Sequence, residues 1–334
     1  MVDHAALAEI ARTAVSEACA VCRQVQAALD EVRAITKDDK SPVTVADFAC
    51  QAIVARNLRE AMGKDLILVA EETSHFLRDE DHAAHLEATV AAVKDFWPDV
   101  TEASLLDAID AGAGDTRHAA FWTLDPVDGT KGFLRGQQYA IALAYIDSGE
   151  PIIGVLGCPN LPRDFSRPLD EPDAEGCLYY AARGLGVYET TADGSAEPIR
   201  IRRLDPAPNQ PISVCESVES GHSKQDDTAA ILAKVGPTRE PARLDSQCKY
   251  AVVARGQADA YLRMPTKQDY VERIWDHAAG ALIAAEAGAY TTDIAGRDLE
   301  FSHGRGLEKN KGIVCAPPAV HGRLLAAIRE LKFA

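Results

Sequence analysis

From Phe121 to Thr130 the chain runs Phe-Trp-Thr-Leu-Asp-Pro-Val-Asp-Gly-Thr, an apolar strand that stops in two acids three residues apart and then turns. No other feature constrains the fold as much. An apolar run belongs in a core, whereas paired carboxylates resist burial unless something neutralises them. A strand that ends this way has built a helix cap or a cation site. Pro126 and Gly129 predict a tight turn that sets Asp125 and Asp128, its first and fourth residues, on one side. Val127 between them would then offer a backbone carbonyl, an oxygen that hard cations accept.

Other acids decide between the two. Glu71 and Glu72 follow the buried strand Leu66 to Ala70, Asp47 stands three residues after Thr44, and Asp276 follows Ile274 and Trp275. Each alone has an ordinary explanation: a solvated strand end, a capping box begun by Thr44, an N-cap for a helix starting at His277. Gathered in one cleft they behave differently. Carboxylates ~4 Å apart repel by about 4 kcal/mol per pair at an effective dielectric near 20. Four of them would shift their pKa values or drive the site apart unless a cation intervenes. Ligands that are all oxygen favour Mg²⁺, or Mn²⁺ in its place, over zinc. A hard divalent ion beside the Thr130 hydroxyl suits phosphoryl transfer.

The rest of the chain frames this site. Leu7, Ile10, Ala14, Ala18, Val21, Val25 and Leu29 recur at helical spacing, and a second helix carries Phe48, Ile53, Val54 and Leu58 behind Thr44 as its N-cap. Residues 73–118 predict a polar helical insertion. Strand patterns follow at Phe121 to Leu124, Tyr139 to Ile146, Pro151 to Gly157, Leu178 to Ala182, Gly186 to Glu189 and Ile199 to Ile201, implying a mostly antiparallel sheet. The proline-rich stretch 204–211 is the best linker. Beyond it, strands at Ile212 to Cys215 and Ile313 to Cys315 alternate with helices at Gln225 to Lys234 and Trp275 to Ala287, as in an α/β layer. The expected division is an α+β metal-site domain over 1–204 and a smaller α/β recognition domain over 205–334, with Asp276 crossing back to the cluster.

Whole classes of function fall away. A net charge of -16 lacks the basic stripe that general nucleic-acid binding needs. The N-terminus has no basic n-region or apolar h-region, and no apolar run nears the ~20 residues of a membrane helix. The eight scattered cysteines read as reduced thiols, so a cytoplasmic location is expected, and Cys19 and Cys22 as core residues rather than a zinc or redox pair. No P-loop, H-E-x-x-H or G-x-S-x-G motif is present.

Asp125-Pro126-Val127-Asp128-Gly129-Thr130, with Glu71-Glu72 upstream and Trp275-Asp276-His277-Ala278-Ala279-Gly280 downstream, resembles the lithium-sensitive, magnesium-dependent phosphatases related to inositol monophosphatase. The stretches Lys40 to Phe48, Thr130 to Gly136, Asp245 to Tyr250 and Glu272 to His277 are more narrowly similar to the 3'(2'),5'-bisphosphate nucleotidases. That resemblance implies a layered αβαβα fold of the sugar-phosphatase kind. It implies two or three Mg²⁺ ions on Glu71, Asp125, Asp128, Asp276 and the Val127 carbonyl, with inhibition by Li⁺. Glu71 is preferred to Glu72 because the first acid of the family's pair is the ligand. Asp47 and Thr130 would orient and deprotonate the attacking water. Gly129, Thr130, Asp276, His222, Ser223, Ser246, Lys249, Arg263 and Tyr270 would contact a nucleotide bisphosphate.

The implied activity is removal of the 3'-phosphate from adenosine 3',5'-bisphosphate to give AMP, with 3'-phosphoadenylyl sulfate as a second candidate substrate and a link to sulfur metabolism. Two other readings use the same residues: an inositol phosphate or sugar phosphatase, and a non-catalytic nucleotide or metal sensor. No membrane or nucleic-acid partner is expected, and a monomer is compatible with the pattern.

Overall fold

The runs Ala140–Asp147 and Glu150–Cys158 are apolar at nearly every position rather than at alternate ones, so both faces of the sheet they form must be covered. The computed structural model, which describes residues 3–28, 45–207, 210–219, 223–267 and 269–333, has that arrangement. Seven strands lie side by side in chain order: β1 (Leu68–Ala70), β2 (Ala120–Asp128), β3 (Ala140–Asp147), β4 (Glu150–Cys158), β5 (Cys177–Ala182), β6 (Gly186–Thr191) and β7 (Ile199–Ile201). Every neighbouring pair is antiparallel except β1 with β2, which run parallel. A second sheet holds β8 (Val214–Glu216), β9 (Ala242–Arg243), β10 (Ala260–Arg263), β11 (Tyr290–Thr292) and β12 (Ile313–Ala316) in the order β11-β12-β10-β8-β9.

The helices are α1 (His4–Ala27), α2 (Val45–Met62), α3 (Ala83–Val93), α4 (Glu102–Asp110), α5 (Thr130–Leu134), α6 (Gln225–Val235), α7 (Cys248–Ala254), α8 (Ala278–Ala287) and α9 (Pro318–Glu330). Asp3 caps α1, its Oδ1 accepting from the amides of Ala5 (3.0 Å) and Ala6 (3.2 Å). The apolar stripe of α1 packs with α2 on one face of the first sheet, over Leu124, Ile141, Leu143 and Val155. Helices α7 and α8 fill the space between the sheets, and α6 with α9 covers the far side of the second. The layers therefore run α, β, α, β, α, as the resemblance implies. Helices α3 and α4 account for much of the stretch 73–118 and pack on α2. Cys19 and Cys22 are buried on α1, as core residues. Among the described residues no helix is long and apolar enough to cross a membrane.

Several boundaries differ from the sequence pattern. The helix expected from Trp275 begins at Ala278, and α7 lies where no element was anticipated. Leu29 and the expected cap Thr44 lie outside the described residues.

The central layer depends on small side chains. A Cβ on Gly280, in the first turn of α8, would come within 2.2 Å of the Tyr250 ring of α7. Gly280→Ala should therefore push two buried helices apart and cost about 1–3 kcal/mol, the range for overpacking a core. Urea unfolding measures this, and an unchanged midpoint would contradict the close approach.

Candidate active site

The two acids of β2 share a face through a bulge, not through the turn that Pro126 and Gly129 suggested. Asp125 pairs with Ala142 of β3 while Asp128 pairs with Ala140, so three steps on β2 oppose two on β3. In a regular strand residues three apart point to opposite faces, and the extra residue brings Asp128 back to the side of Asp125. Proline is tolerated at such an interruption of the ladder. Gly129 follows in the left-handed region (φ 87°) and precedes α5. Thr130 is the first residue of that helix rather than its cap, and its hydroxyl donates to the Val127 carbonyl at 3.2 Å.

The parallel pairing of β1 and β2 brings in the third acid. Ala70 is in register with Leu124, and the Glu71 amide donates to the Leu124 carbonyl at 3.2 Å, so both strands end in acids at the same edge. Asp276 arrives from the segment before α8. His277 occupies the cap position there and its side chain makes no capping bond, so Asp276 is not an N-cap. Glu71, Asp125, Val127, Asp128, Thr130 and Asp276 line one cavity. Asp47 is buried in the first turn of α2, and its charge bears on Asp125.

The carboxyls of Glu71, Asp125, Asp128 and Asp276 are all pushed above their ordinary range. Burial lifts Asp125 furthest, followed by the charges of Glu71, Asp128 and Asp276. Asp276 rises to about 7, through burial first and then Asp128, with His277 opposing. Glu71 also rises to about 7, through burial between the cleft walls and then Glu72; its side chain still opens to solvent, which moderates the push. Burial raises Asp128 too, while Lys249 pulls it down. The buried Asp125 Oδ1 has no hydrogen-bond partner. An orphaned carboxylate oxygen amid mutually repelling acids is what a divalent cation would satisfy, so the donor set fits a hard metal.

The one compact triplet of ligand-type atoms among the described residues, on Glu272, Asp276 and His277, lies within 4.8 Å and shares Asp276 with the acid cluster. Two of its members are already engaged. Glu272 accepts from Arg263 Nε (2.9 Å) through one oxygen and meets His277 Nε2 (3.3 Å) through the other, and His277 Nδ1 meets the Tyr250 hydroxyl at 2.9 Å. One neutral tautomer satisfies both contacts, with Nε2 donating and Nδ1 accepting. This chain supports Arg263 rather than a metal. A centre with more than one ion spreads its carboxylates, each ion taking a subset, so no three need form a single knot.

The same cavity is lined by Ser246, Lys249, Arg263 and Tyr270. Lys249 is buried on α7, donates to the Leu244 carbonyl (3.2 Å), and sits 5.2 Å from the centre of the Tyr261 ring. Burial lowers its pKa. The Arg263 guanidinium lies 6.0 Å from the centre of the Tyr270 ring. Ser223 is not brought to the cavity: it is buried, with its hydroxyl accepting from the Met264 amide at 3.0 Å beside Arg263. His222 lies outside the described residues. Lys131, Ser217, Asp245, Gln247 and Tyr261 also line the cavity. Lys131, Asp245 and Gln247 stood within the quoted motifs without a role, while Ser217 and Tyr261 carried no signal at all. Arg305 went unnoticed as well; its Nη1 donates to the Ala70 carbonyl (3.3 Å) next to Glu71, and its own carbonyl accepts from Ile274 (3.2 Å) near Asp276.

Comparison with known proteins agrees with this geometry. The profile of the inositol monophosphatase family matches residues 3–332. A 3'(2'),5'-bisphosphate nucleotidase of Schizosaccharomyces pombe is 41% identical over 304 residues, covering 88% of this chain and 85% of its own. One from Oryza sativa is 40% identical over 346 residues, covering 98% and 94%. Among solved structures, Mycobacterium tuberculosis SuhB superposes with a TM-score of 0.62 at 22% identity, covering 99% of this chain and 98% of its own, a likeness of fold. The bulged acid strand, the layered fold and a match over nearly the whole length place the chain in the inositol monophosphatase family.

Proposed function

We propose that this chain is a divalent-metal-dependent 3'(2'),5'-bisphosphate nucleotidase that removes the 3'-phosphate of adenosine 3',5'-bisphosphate to give AMP and phosphate. One observation carries the choice of substrate: a single cavity gathers the carboxylates together with two cations, Lys249 and Arg263, and the Tyr270 ring. A substrate with one anionic group needs only the metals that the carboxylates would hold; a nucleotide with two also uses the cations. The relatives named for this activity support the same reading.

In this reading Glu71, Asp125, Asp128, Asp276 and the Val127 carbonyl hold Mg²⁺ ions. When bound, Mg²⁺ polarises the phosphate and lowers the pKa of water, the chemistry that a hydrolysis at neutral pH lacks. Thr130, while donating to Val127, keeps hydroxyl lone pairs with which to accept from a water and aim it at phosphorus. Asp47, buried on α2 with its charge acting on Asp125, would take that water's proton. The bond from phosphorus to the substrate's 3'-oxygen breaks as the new phosphorus–oxygen bond forms, and the departing oxygen takes a proton from a solvent water to give the 3'-hydroxyl of AMP. Lys249 and Arg263 hold the second phosphate, the arginine as a fork and the lysine as a point charge. Tyr270, exposed at the rim, offers a ring against which base or ribose can pack. The sulfated nucleotide, its anion held by the same two cations, is a second substrate in this reading, which would tie the enzyme to sulfur metabolism in a reducing, cytoplasmic compartment.

The local field makes such binding feasible. A bisphosphate nucleotide carries about four negative charges near neutrality, and a chain at -16 repels it at long range. Cations buried in the cleft reverse that field where it counts.

Phosphate release from adenosine 3',5'-bisphosphate and from inositol 1-phosphate, each with and without lithium, tests the assignment. The nucleotide should be preferred by at least tenfold and its hydrolysis should fall with lithium in place of one Mg²⁺; equal rates on the two substrates would discard the nucleotidase reading. Lys249→Met keeps the buried stem and removes the charge. It should weaken the bisphosphate by about 1.5–3 kcal/mol, roughly ten- to hundred-fold in KM, the usual value of a charged hydrogen bond. A monophosphate substrate should be little affected, and equal losses would assign Lys249 a structural role.

Glu71 and Asp276 titrate near about 7 in the cation-free fold, above their ordinary range. The folded chain therefore holds more protons than the unfolded one across that interval, and its stability falls as pH rises through it. A divalent ion binds the deprotonated acids, so its stabilising effect grows over the same interval. Added Mg²⁺ should raise Tm more at about pH 8 than at about pH 5.5. Scanning calorimetry at the two pH values decides this, and equal shifts would count against the acid cluster as the binding site.

A further inference from the structure

We propose that Gln247 is a positioning residue for this metal-dependent reaction, setting the distance between the carboxylates of Asp128 and Asp276 without itself binding metal. The inference rests on the metal-site reading above and goes beyond it, because it concerns how the acids are held rather than what they hold.

Asp128 and Asp276 stand 148 positions apart in the chain, one at the end of β2 and one before α8. Their spacing must be fixed by contacts between those segments. Gln247 makes three such contacts. Its backbone amide donates to Asp128 Oδ2 at 2.5 Å, its side-chain Nε2 donates to the Trp275 carbonyl at 2.8 Å, and its Oε1 accepts from the Gly280 amide at 3.0 Å. The first fixes Asp128. The other two grip the chain on both sides of Asp276: the peptide that leads into it and the first turn of the helix that follows.

The chemistry requires this residue type. A carboxamide is the uncharged side chain that donates and accepts from one rigid plane. Glutamate would set an oxygen against the Trp275 carbonyl and add another negative charge to a crowded acid cluster. Asparagine is one methylene too short to span both partners from the same backbone position. The side chain is 2% exposed, so water cannot replace either bond.

The backbone leading into Gln247 carries its own sign of purpose. Ser246 has a φ of 67°, in the left-handed region that a non-glycine residue enters at a cost. Its hydroxyl accepts from the Cys248 amide at 3.1 Å, and the space beside it is closed, since a Cβ on Gly129 would come within 3.0 Å of Ser246 Cβ. The strained turn, the tight seat against Gly129 and the short bond to Asp128 together press the start of α7 onto the β2 bulge.

Partners that orient metal ligands from behind typically change metal affinity or activity by 10–100-fold when removed. The test is calorimetric titration of the full-length, metal-free protein with Mn²⁺ and with Mg²⁺, in the absence of substrate, for wild type, Gln247→Met, Gln247→Asn and Asp276→Asn. Thermal midpoints and the Mg²⁺ dependence of kcat are measured alongside. Gln247→Met removes both side-chain bonds at nearly constant volume. Gln247→Asn keeps the polar group and protects the measurement should the methionine variant fail to fold. Both glutamine variants should bind the divalent ion at least tenfold more weakly, and saturating Mg²⁺ should recover most of the kcat while the half-saturating concentration stays raised.

A lowered Tm with wild-type metal affinity in the folded variants would overturn the proposal and leave Gln247 as a packing residue. Wild-type affinity in Asp276→Asn as well would instead remove the metal-site reading beneath it. Affinity lost in Asp276→Asn yet intact in both glutamine variants rejects the positioning role alone.

Discussion

Mutual repulsion among carboxylates crowded into one cleft is the constraint to which the remainder of this structure answers. Left alone, Glu71, Asp125, Asp128 and Asp276 would separate or take up protons, and burial with neighbouring charge already drives their pKa values up. They stay together because each is fixed to something that cannot move cheaply. Asp125 and Asp128 end a strand whose Trp122 and Leu124 are wholly buried under α2, and Glu71 ends the strand hydrogen-bonded beside it. The parallel pair β1–β2 is the exception in an otherwise antiparallel sheet, and it is what sets two acid-bearing strand ends at one edge.

The cations of the cleft meet the opposite difficulty. Buried Lys249 and Arg263 lose hydration, yet neither is left bare: Lys249 donates to a carbonyl and feels Asp128 and Asp245, while Arg263 is tied to Glu272. The Glu272 carboxylate is in turn held by His277, and His277 by Tyr250, so the arginine rests on a buried polar chain whose members are satisfied. That chain passes directly behind Asp276. Asp276 and the support of Arg263 therefore rest on the same few residues at the start of α8, and displacement of that turn would disturb both.

Much of this was legible in the sequence because strands and acids leave local marks. Continuous apolar runs located β3 and β4, and the acids after Leu68–Ala70 and at Asp125 and Asp128 pointed to a shared cation. The bulge was not legible, because Pro126 and Gly129 fit a turn equally well, and only pairing with β3 distinguishes the two. Helix α7 was missed for a related reason: Cys248 to Ala254 is buried on all sides, so it lacks the alternation of polar and apolar residues by which an amphipathic helix is recognised. Ser223 resembled a nucleotide contact but holds the backbone next to Arg263 instead, a role that depends on a fold partner 41 positions away.

The compact triplet Glu272, Asp276 and His277 shows why proximity alone is a poor guide to a metal centre. Its atoms are closer together than those of the larger acid cluster, yet Glu272 and His277 already balance each other and their neighbours. What marks a cation site is unmet demand: a buried oxygen without a donor, and acids whose charges raise one another's pKa. Asp125 meets both criteria, and its loop also brings the Val127 carbonyl and the Thr130 hydroxyl to the same cavity. Charge that the protein leaves unsatisfied is the best indicator of where a ligand's charge belongs. On that ground the bulged end of β2, rather than the tighter triplet, is where we place the proposed chemistry.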